Sequence, residues 1–263
     1  MERPISILRE FAKRAFYYFA FPFRMATAGE RLLPDFLIIG TQKGGTNSLH
    51  NFLAQHPQIH MAKNELYYFS NESNYRKGEL WYRSHFPLRF AVKPGELVGE
   101  KTPEYLCEPD AAERIQKDLP NAKLICLLRN PSKRAVSHYF MRLRKGIEQL
   151  PIMEAMLAEQ AGPRSYKKRG LYLEQLKRYE KYLKGNRLLV LSSEEFSADP
   201  QKTLKQVFKF LGVDETFRCP DISPKYVGEN KSPVPPEVYE YLNKYFRPYN
   251  RRLYNYLHRD FGW

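Results

Sequence analysis

Hydrophobic residues in this chain form short continuous runs that alternate with stretches of helical periodicity. The runs Phe36–Ile39, Lys123–Leu128 and Arg187–Leu191 are almost wholly apolar, as is typical of strands buried on both faces. A shorter run at Leu97–Val98 predicts a further strand. Strands that alternate with helices indicate an α/β fold, a three-layer α/β/α sandwich with a central parallel sheet and ligands at the carboxyl ends of its strands.

Helical spacing and capping signals follow the strands. Val213–Pro236 is rich in Pro, Gly, Ser and Asn, which predicts a surface loop long enough to be a functional lid. The predicted helices are one from about Leu49 to His56, one over Trp81–Phe86, one over Pro109–Leu119, one over Pro131–Lys145 with Asn130 as cap, one over Leu171–Leu183, one over Asp199–Leu211 ended by Gly212, and two short aromatic helices that close the chain at Trp263.

The length of 263 residues fits one α/β domain. We expect residues 1–30 to form a basic, aromatic helical extension and residues 31–263 to form a single domain. No run of 18 apolar residues occurs, so no membrane span is predicted. Residues 5–24 form an extra helix in this interpretation, docked on the domain or a second subunit, or in peripheral contact with an anionic membrane surface.

The charge balance points to an anionic partner. The chain has 43 Lys and Arg against 29 Asp and Glu, a net charge of +14. No zinc-finger spacing, RNP-like string or basic zipper is present, so we expect no nucleic-acid partner. Three cysteines with wide spacing argue against a disulfide framework or a zinc site and favour a reducing compartment.

The stretch Pro34–Phe52 (PDFLIIGTQKGGTNSLHNF) combines a strand, a Gly-Gly turn and a helix start. Glycines let backbone N–H groups approach a phosphate, the helix start adds partial positive charge, and Lys43 adds a full one. Gly40 and Gly45 match the spacing of a nucleotide-triphosphate loop, but Thr46-Asn47 stands where Lys-Ser/Thr is needed. The loop therefore predicts a phosphate site that needs no metal.

The second strong strand also ends in anion-binding chemistry. Lys123–Leu128 runs into Arg129, where a phosphoryl-transfer ATPase would place a magnesium-binding aspartate. Ser137 follows on the next helix, close enough in sequence to share a second phosphate group with Arg129. Two such sites suggest a ligand with phosphates on both sides of its nucleoside, such as adenosine 3′-phosphate 5′-phosphosulfate (PAPS).

Four motifs in order, QKGGTNSL, KNELYYF, EKTPEY and LLRNPSKRAVSHY, resemble the PAPS-dependent sulfotransferases, especially the heparan-sulfate glucosaminyl 3-O-sulfotransferase branch. The similarity runs from about Asp35 to Trp263. It implies the sulfotransferase fold and an enzyme that moves a sulfuryl group from PAPS to a hydroxyl, or less readily an amine, of a carbohydrate or small molecule, without a metal.

The resemblance also implies roles for individual residues. Glu65 is the expected general base, and Lys43 and Lys101 are the expected catalytic cations. Arg129 and Ser137 match the 3′-phosphate site. The residues implied at the 5′-phosphosulfate are Lys43, Gly44, Gly45, Thr46, Asn47 and Ser48, and those of a late loop closing on the donor are Lys231, Ser232 and Pro233.

The chain departs from that branch at several positions. Tyr67 and Ser70 stand where the branch often has histidine and aspartate, so the acceptor need not resemble heparan. Ser232 and Pro233 replace the usual glycine and arginine of the late loop, and a bracing cysteine pair is absent. These departures and the lack of an anchor predict a soluble, cytoplasmic enzyme. His138, beside Ser137, is interpreted as an exposed helix residue.

Other classes of function are also compatible with parts of this pattern. A P-loop nucleotide kinase or ATPase would use the glycine-rich loop, although the displaced lysine and the missing magnesium ligands disfavour it. A non-catalytic protein that binds polyanions or a membrane surface would use the net charge alone and would not depend on Lys43.

Overall fold

The computed structural model describes residues 19–158, 165–223 and 233–263. Within them, five parallel strands form one sheet in the order β2-β3-β1-β4-β5. The strands are β1 (Phe36–Gly40), β2 (Ile59–Met61), β3 (Leu97–Lys101), β4 (Lys123–Leu128) and β5 (Leu188–Ser192). The predicted parallel sheet is confirmed, and its strand order reverses at β1, where a ligand crevice is expected.

Helices cover both faces of the sheet. Their bounds, in chain order, are α1 (Phe21–Ala26), α2 (Thr46–Leu53), α3 (Glu72–Tyr75), α4 (Gly78–Arg83), α5 (Ala111–Asp118), α6 (Pro131–Arg144), α7 (Ile152–Leu157), α8 (Tyr172–Lys177), α9 (Glu180–Lys184), α10 (Ser193–Ala198), α11 (Pro200–Leu211) and α12 (Pro236–Leu257).

Strand β1 lies at the centre of the core and is buried along its whole length. Leu37 and Ile39 pack into the apolar cluster on one face of the sheet. Phe36 and Ile38 pack into the cluster on the other face. Burial on both faces explains why the sequence of this strand is continuously apolar rather than alternating, and it fixes the strand end from which the glycine-rich turn leaves.

Two helix predictions were wrong in their continuity. The segment predicted as one helix from Leu171 to Leu183 is divided into α8 and α9, because the turn between them buries Tyr179 with its hydroxyl 2.7 Å from the Tyr105 carbonyl oxygen. The two predicted closing helices are the single helix α12, which contains Pro248. Pro248 is exposed while the apolar stripe of α12 is buried, so the carbonyl that loses its partner faces solvent.

The first described residues, which include α1, pack on the rest of the domain. The guanidinium of Arg24, in α1, donates hydrogen bonds to the carbonyl oxygens of Ser84 and Phe86 at 2.5 and 2.9 Å. The boundary at residue 30 stays a prediction, and residues 1–18, with most of the proposed extra helix, lie outside the described residues, as do 224–232 of the predicted lid. No helix in the described part of the chain has the length and apolarity needed to cross a membrane.

Candidate active site

The turn between β1 and α2 depends on two glycines for different reasons. Gly45 has φ 93°, a left-handed conformation that favours glycine. A Cβ on Gly44 would lie 2.6 Å from the carbonyl oxygen of Leu127 in β4, closer than a real side chain tolerates. The glycines therefore bring this turn against the end of β4 and aim the N-terminus of α2 into the space above the sheet.

Positive charge is concentrated around Lys43. Burial first, and then the nearby cations Arg144, Arg129 and Lys145, lower the pKa of the Lys43 ammonium. Arg129 is tied directly to the same turn, because its guanidinium donates a 2.8 Å hydrogen bond to the Lys43 carbonyl oxygen. A cluster of like charges that is half-buried is stabilised by an anion, so this arrangement suits phosphate groups.

Most of the predicted site residues meet in one cavity of about 670 Å³ above the carboxyl ends of the strands. Those that line it are Lys43, Gly45, Thr46, Asn47, Ser48, Glu65, Arg129 and Ser137. Gly44 and Lys101 are not among the lining residues, but Lys101 contacts Glu65 and Asn47, which are. Pro233 is exposed and is not among them, and Lys231 and Ser232 lie outside the described residues.

The carboxylate of Glu65 is held between a cation and a phenol. Its Oε1 lies 2.6 Å from the Nζ of Lys101, at the end of β3. Its Oε2 accepts a hydrogen bond from the Tyr67 hydroxyl. Lys101 also donates to the side-chain oxygen of Asn47 on α2, so Glu65 is connected through Lys101 to the helix that begins at the glycine-rich turn.

Sequence reasoning recognised Tyr67 only as a departure from the family pattern. Tyr67 has φ 52°, an uncommon conformation for a bulky residue. Burial, and then its hydrogen bond to Glu65, raise the pKa of the Tyr67 phenol, which keeps it a neutral donor. Its short spacing from Glu65 was the available signal, but only the left-handed backbone turns its hydroxyl back onto the carboxylate.

The prediction that His138 is exposed was wrong. Its side chain is 3% exposed on α6, and burial, followed by Arg134 and Arg169, lowers its pKa to about 2. A histidine that stays neutral in this way is a core residue. Its neighbour Ser137 lines the cavity. Asn130 caps the same helix, α6, by accepting from the Lys133 N–H at 3.1 Å.

A side cleft of about 370 Å³ adjoins the cavity at Tyr67 and Gln42. Arg169 lies in it, 7% exposed, and donates to both oxygens of Glu104 and, at 3.1 Å, to the side-chain oxygen of Gln42. The sequence analysis missed this pair, because its members are 65 residues apart. The cleft thus presents both signs of charge next to the Glu65 carboxylate.

The fold and site together define a P-loop-like α/β protein whose cavity suits a phosphate-bearing ligand. The chain belongs to the sulfotransferase family, since the family model described as "Sulfotransferase domain" matches residues 33–232. It is 32% identical to heparan sulfate glucosamine 3-O-sulfotransferase 6 of Homo sapiens, a match that covers 89% of this chain and 75% of that one. A crystal structure of a sulfotransferase from Alicyclobacillus acidocaldarius shares 30% identity and a TM-score of 0.73, covering 88% of this chain and 98% of that one.

These matches confirm the family resemblance and the enzyme class. They also correct one prediction. The expected cytoplasmic location is wrong, because the relatives include the membrane-associated sulfotransferase kil1 of Dictyostelium discoideum, which is 27% identical over 88% of this chain and 66% of that one.

Proposed function

We propose that this sulfotransferase moves a sulfuryl group from PAPS to a hydroxyl group of a carbohydrate or small-molecule acceptor, with Glu65 as the general base. The observation that carries the proposal is the contact between Glu65 and Lys101, 2.6 Å apart, at a cavity that Lys43 and the start of α2 also line. The proposed base, one cation and a helix N-terminus line one cavity, and a second cation contacts the base.

The residues present fit a donor with two phosphate-bearing ends. Lys43 and the Gly44–Ser48 backbone would hold the 5′-phosphosulfate, since helix termini leave N–H groups without intrahelical partners. Arg129 and Ser137, which line the same cavity, would hold the 3′-phosphate. When bound, PAPS supplies a sulfuryl group on a phosphate leaving group. We propose Lys231, Ser232 and Pro233 as a late loop that approaches this donor.

Glu65 would accept the acceptor proton while the acceptor oxygen forms its bond to sulfur and the bond from sulfur to the phosphate oxygen breaks. General-base assistance of this kind is typically worth ~10²–10⁴-fold in rate. Lys43 and the loop N–H groups would stabilise the negative charge that grows on the departing phosphate. Lys101, in contact with Glu65 and Asn47, would keep the base next to the start of α2.

The acceptor is proposed to be a carbohydrate or a similar polyhydroxylated small molecule. Relatives named for the glucosamine of heparan sulfate support a sugar. Charges of both signs line the side cleft, with Arg142, Lys145 and Arg169 beside Glu104 and Glu108, so its lining does not by itself select an anionic or a neutral sugar. An amine acceptor would need less help from Glu65.

Two measurements test the proposal. Calorimetry with adenosine 3′,5′-bisphosphate is expected to show binding that is unchanged by magnesium or by EDTA. Transfer of radiolabelled sulfate from PAPS to a panel of sugars and small alcohols is expected to give a labelled product that is lost in Glu65→Gln. Magnesium-dependent ATP binding, without binding of the bisphosphate, would overturn the proposal.

A further inference from the structure

The motif EKTPEY contains a second carboxylate, Glu100, that the proposed reaction does not use. Glu100 lies in β3 with a fully buried side chain. It accepts hydrogen bonds from three hydroxyl groups: Thr102 at 2.6 Å and Tyr105 at 2.8 Å on Oε1, and Tyr82 at 2.5 Å on Oε2. A buried carboxylate needs such donors, but these three have different surroundings.

Two of the three hydroxyls also accept hydrogen bonds from the segment that carries Glu65. The Thr102 Oγ1 accepts from the Leu66 N–H at 3.1 Å and from the Tyr67 N–H at 3.4 Å. The Tyr105 hydroxyl oxygen accepts from the Tyr68 N–H at 3.2 Å. Three consecutive backbone N–H groups after Glu65 therefore donate to two hydroxyl oxygens. Both of these hydroxyls donate in turn to one oxygen of Glu100.

The direction of these bonds requires an acceptor at Glu100. Each hydroxyl has a single proton. Since the oxygens of Thr102 and Tyr105 receive backbone N–H groups, their protons are turned away from the loop and onto Glu100. The pKa of the Glu100 carboxyl is raised, because the effect of burial exceeds the lowering effect of the hydrogen bonds from Thr102, Tyr82 and Tyr105. The carboxylate thus sets the orientation of both hydroxyls that receive the loop.

The loop needs such support because it is not a relaxed turn. Tyr67 has φ 52°, which is unfavourable for a bulky side chain and persists only where the surroundings impose it. That same conformation places the Tyr67 hydroxyl on Glu65. Fixing the N–H groups of residues 66–68 consequently fixes both Glu65 and the phenol that donates to it.

We propose that Glu100 is a positioning residue for Glu65, acting through the Thr102 and Tyr105 hydroxyls on the backbone of residues 66–68. The inference rests on the proposed function, in which Glu65 is the base. This role is not purely structural. We expect the loss of either hydroxyl to affect the reaction through the position of the Glu65 carboxylate and not through any other part of the site.

The chain offers a matched control. Thr102→Val and Tyr105→Phe each remove a hydroxyl that supports the loop. Tyr82→Phe removes a hydroxyl from the same carboxylate that has no bond to the loop backbone. We expect Thr102→Val and Tyr105→Phe to lower kcat by about 10- to 100-fold, as small misplacements of a reacting group do, with little change in bisphosphate affinity. Tyr82→Phe should stay within about 3-fold of the parent enzyme, because the bond that it loses does not involve the loop that carries Glu65.

Amide hydrogen exchange supplies a readout that does not depend on turnover. Thr102→Val is expected to speed exchange at Leu66 and Tyr67, and Tyr105→Phe at Tyr68, while Tyr82→Phe leaves all three as in the parent. Uniformly faster exchange across β3 in every variant would mean general destabilisation and would overturn the proposal. If Thr102→Val does not fold, two other variants test the proposal. Tyr105→Phe should still lower kcat, and Thr102→Ser, which keeps the hydroxyl, should have the kcat of the parent enzyme.

A double-mutant comparison separates this inference from the proposed function. In a Glu65→Gln background, Thr102→Val should cause no further loss of kcat, since the group that it positions is already inactive. An equal, additive loss in both backgrounds would overturn the positioning role. If Glu65→Gln itself retains full turnover, the proposed base is wrong, and the exchange data at residues 66–68 still show whether Glu100 organises the loop.

Discussion

The guanidinium of Arg129 donates a hydrogen bond to the backbone carbonyl oxygen of Lys43 at 2.8 Å. This contact joins the ends of β4 and β1, the two strands whose sequences separately predicted an anion site. Lys43 has φ 70°, so the bond also supports a backbone conformation that is costly for a lysine. The two proposed phosphate sites are therefore directly connected, and a substitution of Arg129 should also alter the glycine-rich turn.

Replacing Arg129 by lysine tests this coupling, because the substitution keeps the charge but loses the planar fork that can bond the turn and a phosphate together. We expect Arg129→Lys to weaken adenosine 3′,5′-bisphosphate binding by about 10-fold and Arg129→Ala by about 100-fold, in line with hydrogen bonds to charged groups of ~1.5–3 kcal/mol. Isothermal calorimetry measures both. An affinity of Arg129→Lys equal to that of the parent chain would contradict the role of the fork.

Lys43 should make donor binding depend on pH at values below those at which an ordinary lysine titrates. Burial and three neighbouring cations lower its pKa, so the free protein loses the Lys43 proton at a lower pH than an ordinary lysine does. A bound phosphate favours the charged form and raises that pKa again, so binding at pH values near the lowered pKa must take up a proton. Calorimetry in buffers of different ionisation enthalpy should detect this uptake.

The matched control is Lys43→Arg, whose guanidinium stays charged throughout this range. The variant should bind the bisphosphate without proton uptake and should lose less affinity as the pH rises. Identical proton uptake in both proteins would assign the effect to a group other than Lys43.

The strands, and the cations at their ends, were predictable because they depend on local patterns. β1 and β4 are buried on both faces and so are continuously apolar, and their ends carry the turn and the arginine. α12 was not predicted as one helix, because Pro248 normally ends a helix and only its exposure on the solvent side removes the penalty. Local sequence cannot show which side of a helix will face solvent.

Several residues that line the cavity were predictable from motifs, but the contacts between them and their neighbours were not. Lys43, Arg129 and Glu65 were recognised from motifs, whereas the role of Tyr67 depends on a left-handed backbone and that of Arg169 on a partner 65 residues away. His138 was misassigned because helical spacing on a basic helix gave no sign that the ring turns into the core. Such features arise from tertiary packing, which no window of sequence contains.

Glu65→Gln should separate chemistry from donor binding. The amide keeps the shape of the side chain and one acceptor for Lys101 but cannot take a proton. We expect kcat to fall by ~10²–10⁴-fold, with the bisphosphate affinity within a few-fold of the parent, in contrast to Arg129→Ala. Glu79→Gln, an exposed carboxylate paired with Arg83 on α4, is the control and should leave both quantities unchanged. Equal losses of affinity in Glu65→Gln and Arg129→Ala would count against Glu65 as the base.

Gly44 should be intolerant of even one methyl group. An added Cβ would lie 2.6 Å from the Leu127 carbonyl oxygen and 2.8 Å from the Thr41 methyl group, and backbone atoms cannot yield cheaply. We expect Gly44→Ala to destabilise the fold by ~1–3 kcal/mol and to abolish bisphosphate binding by moving the turn away from β4. Gly29→Ala, at a position with nothing within 4 Å, is the control in thermal unfolding and calorimetry. A Gly44→Ala protein that binds normally would show that the turn does not need this close approach.

Tyr67→Phe tests whether the departure from the related branch is functional. The phenol donates to Glu65 Oε2, and a donor of this kind stabilises the ionised carboxylate that a general base needs. Without it, the carboxylate loses one of the two partners that hold it, so kcat should fall by about 10-fold, which corresponds to ~1.4 kcal/mol, with little change in bisphosphate affinity. Tyr139→Phe, whose hydroxyl instead donates to the Leu150 carbonyl at 2.9 Å, should leave kcat unchanged. A higher KM for the acceptor, with kcat unchanged, would mean that Tyr67 contacts the acceptor and does not support the base.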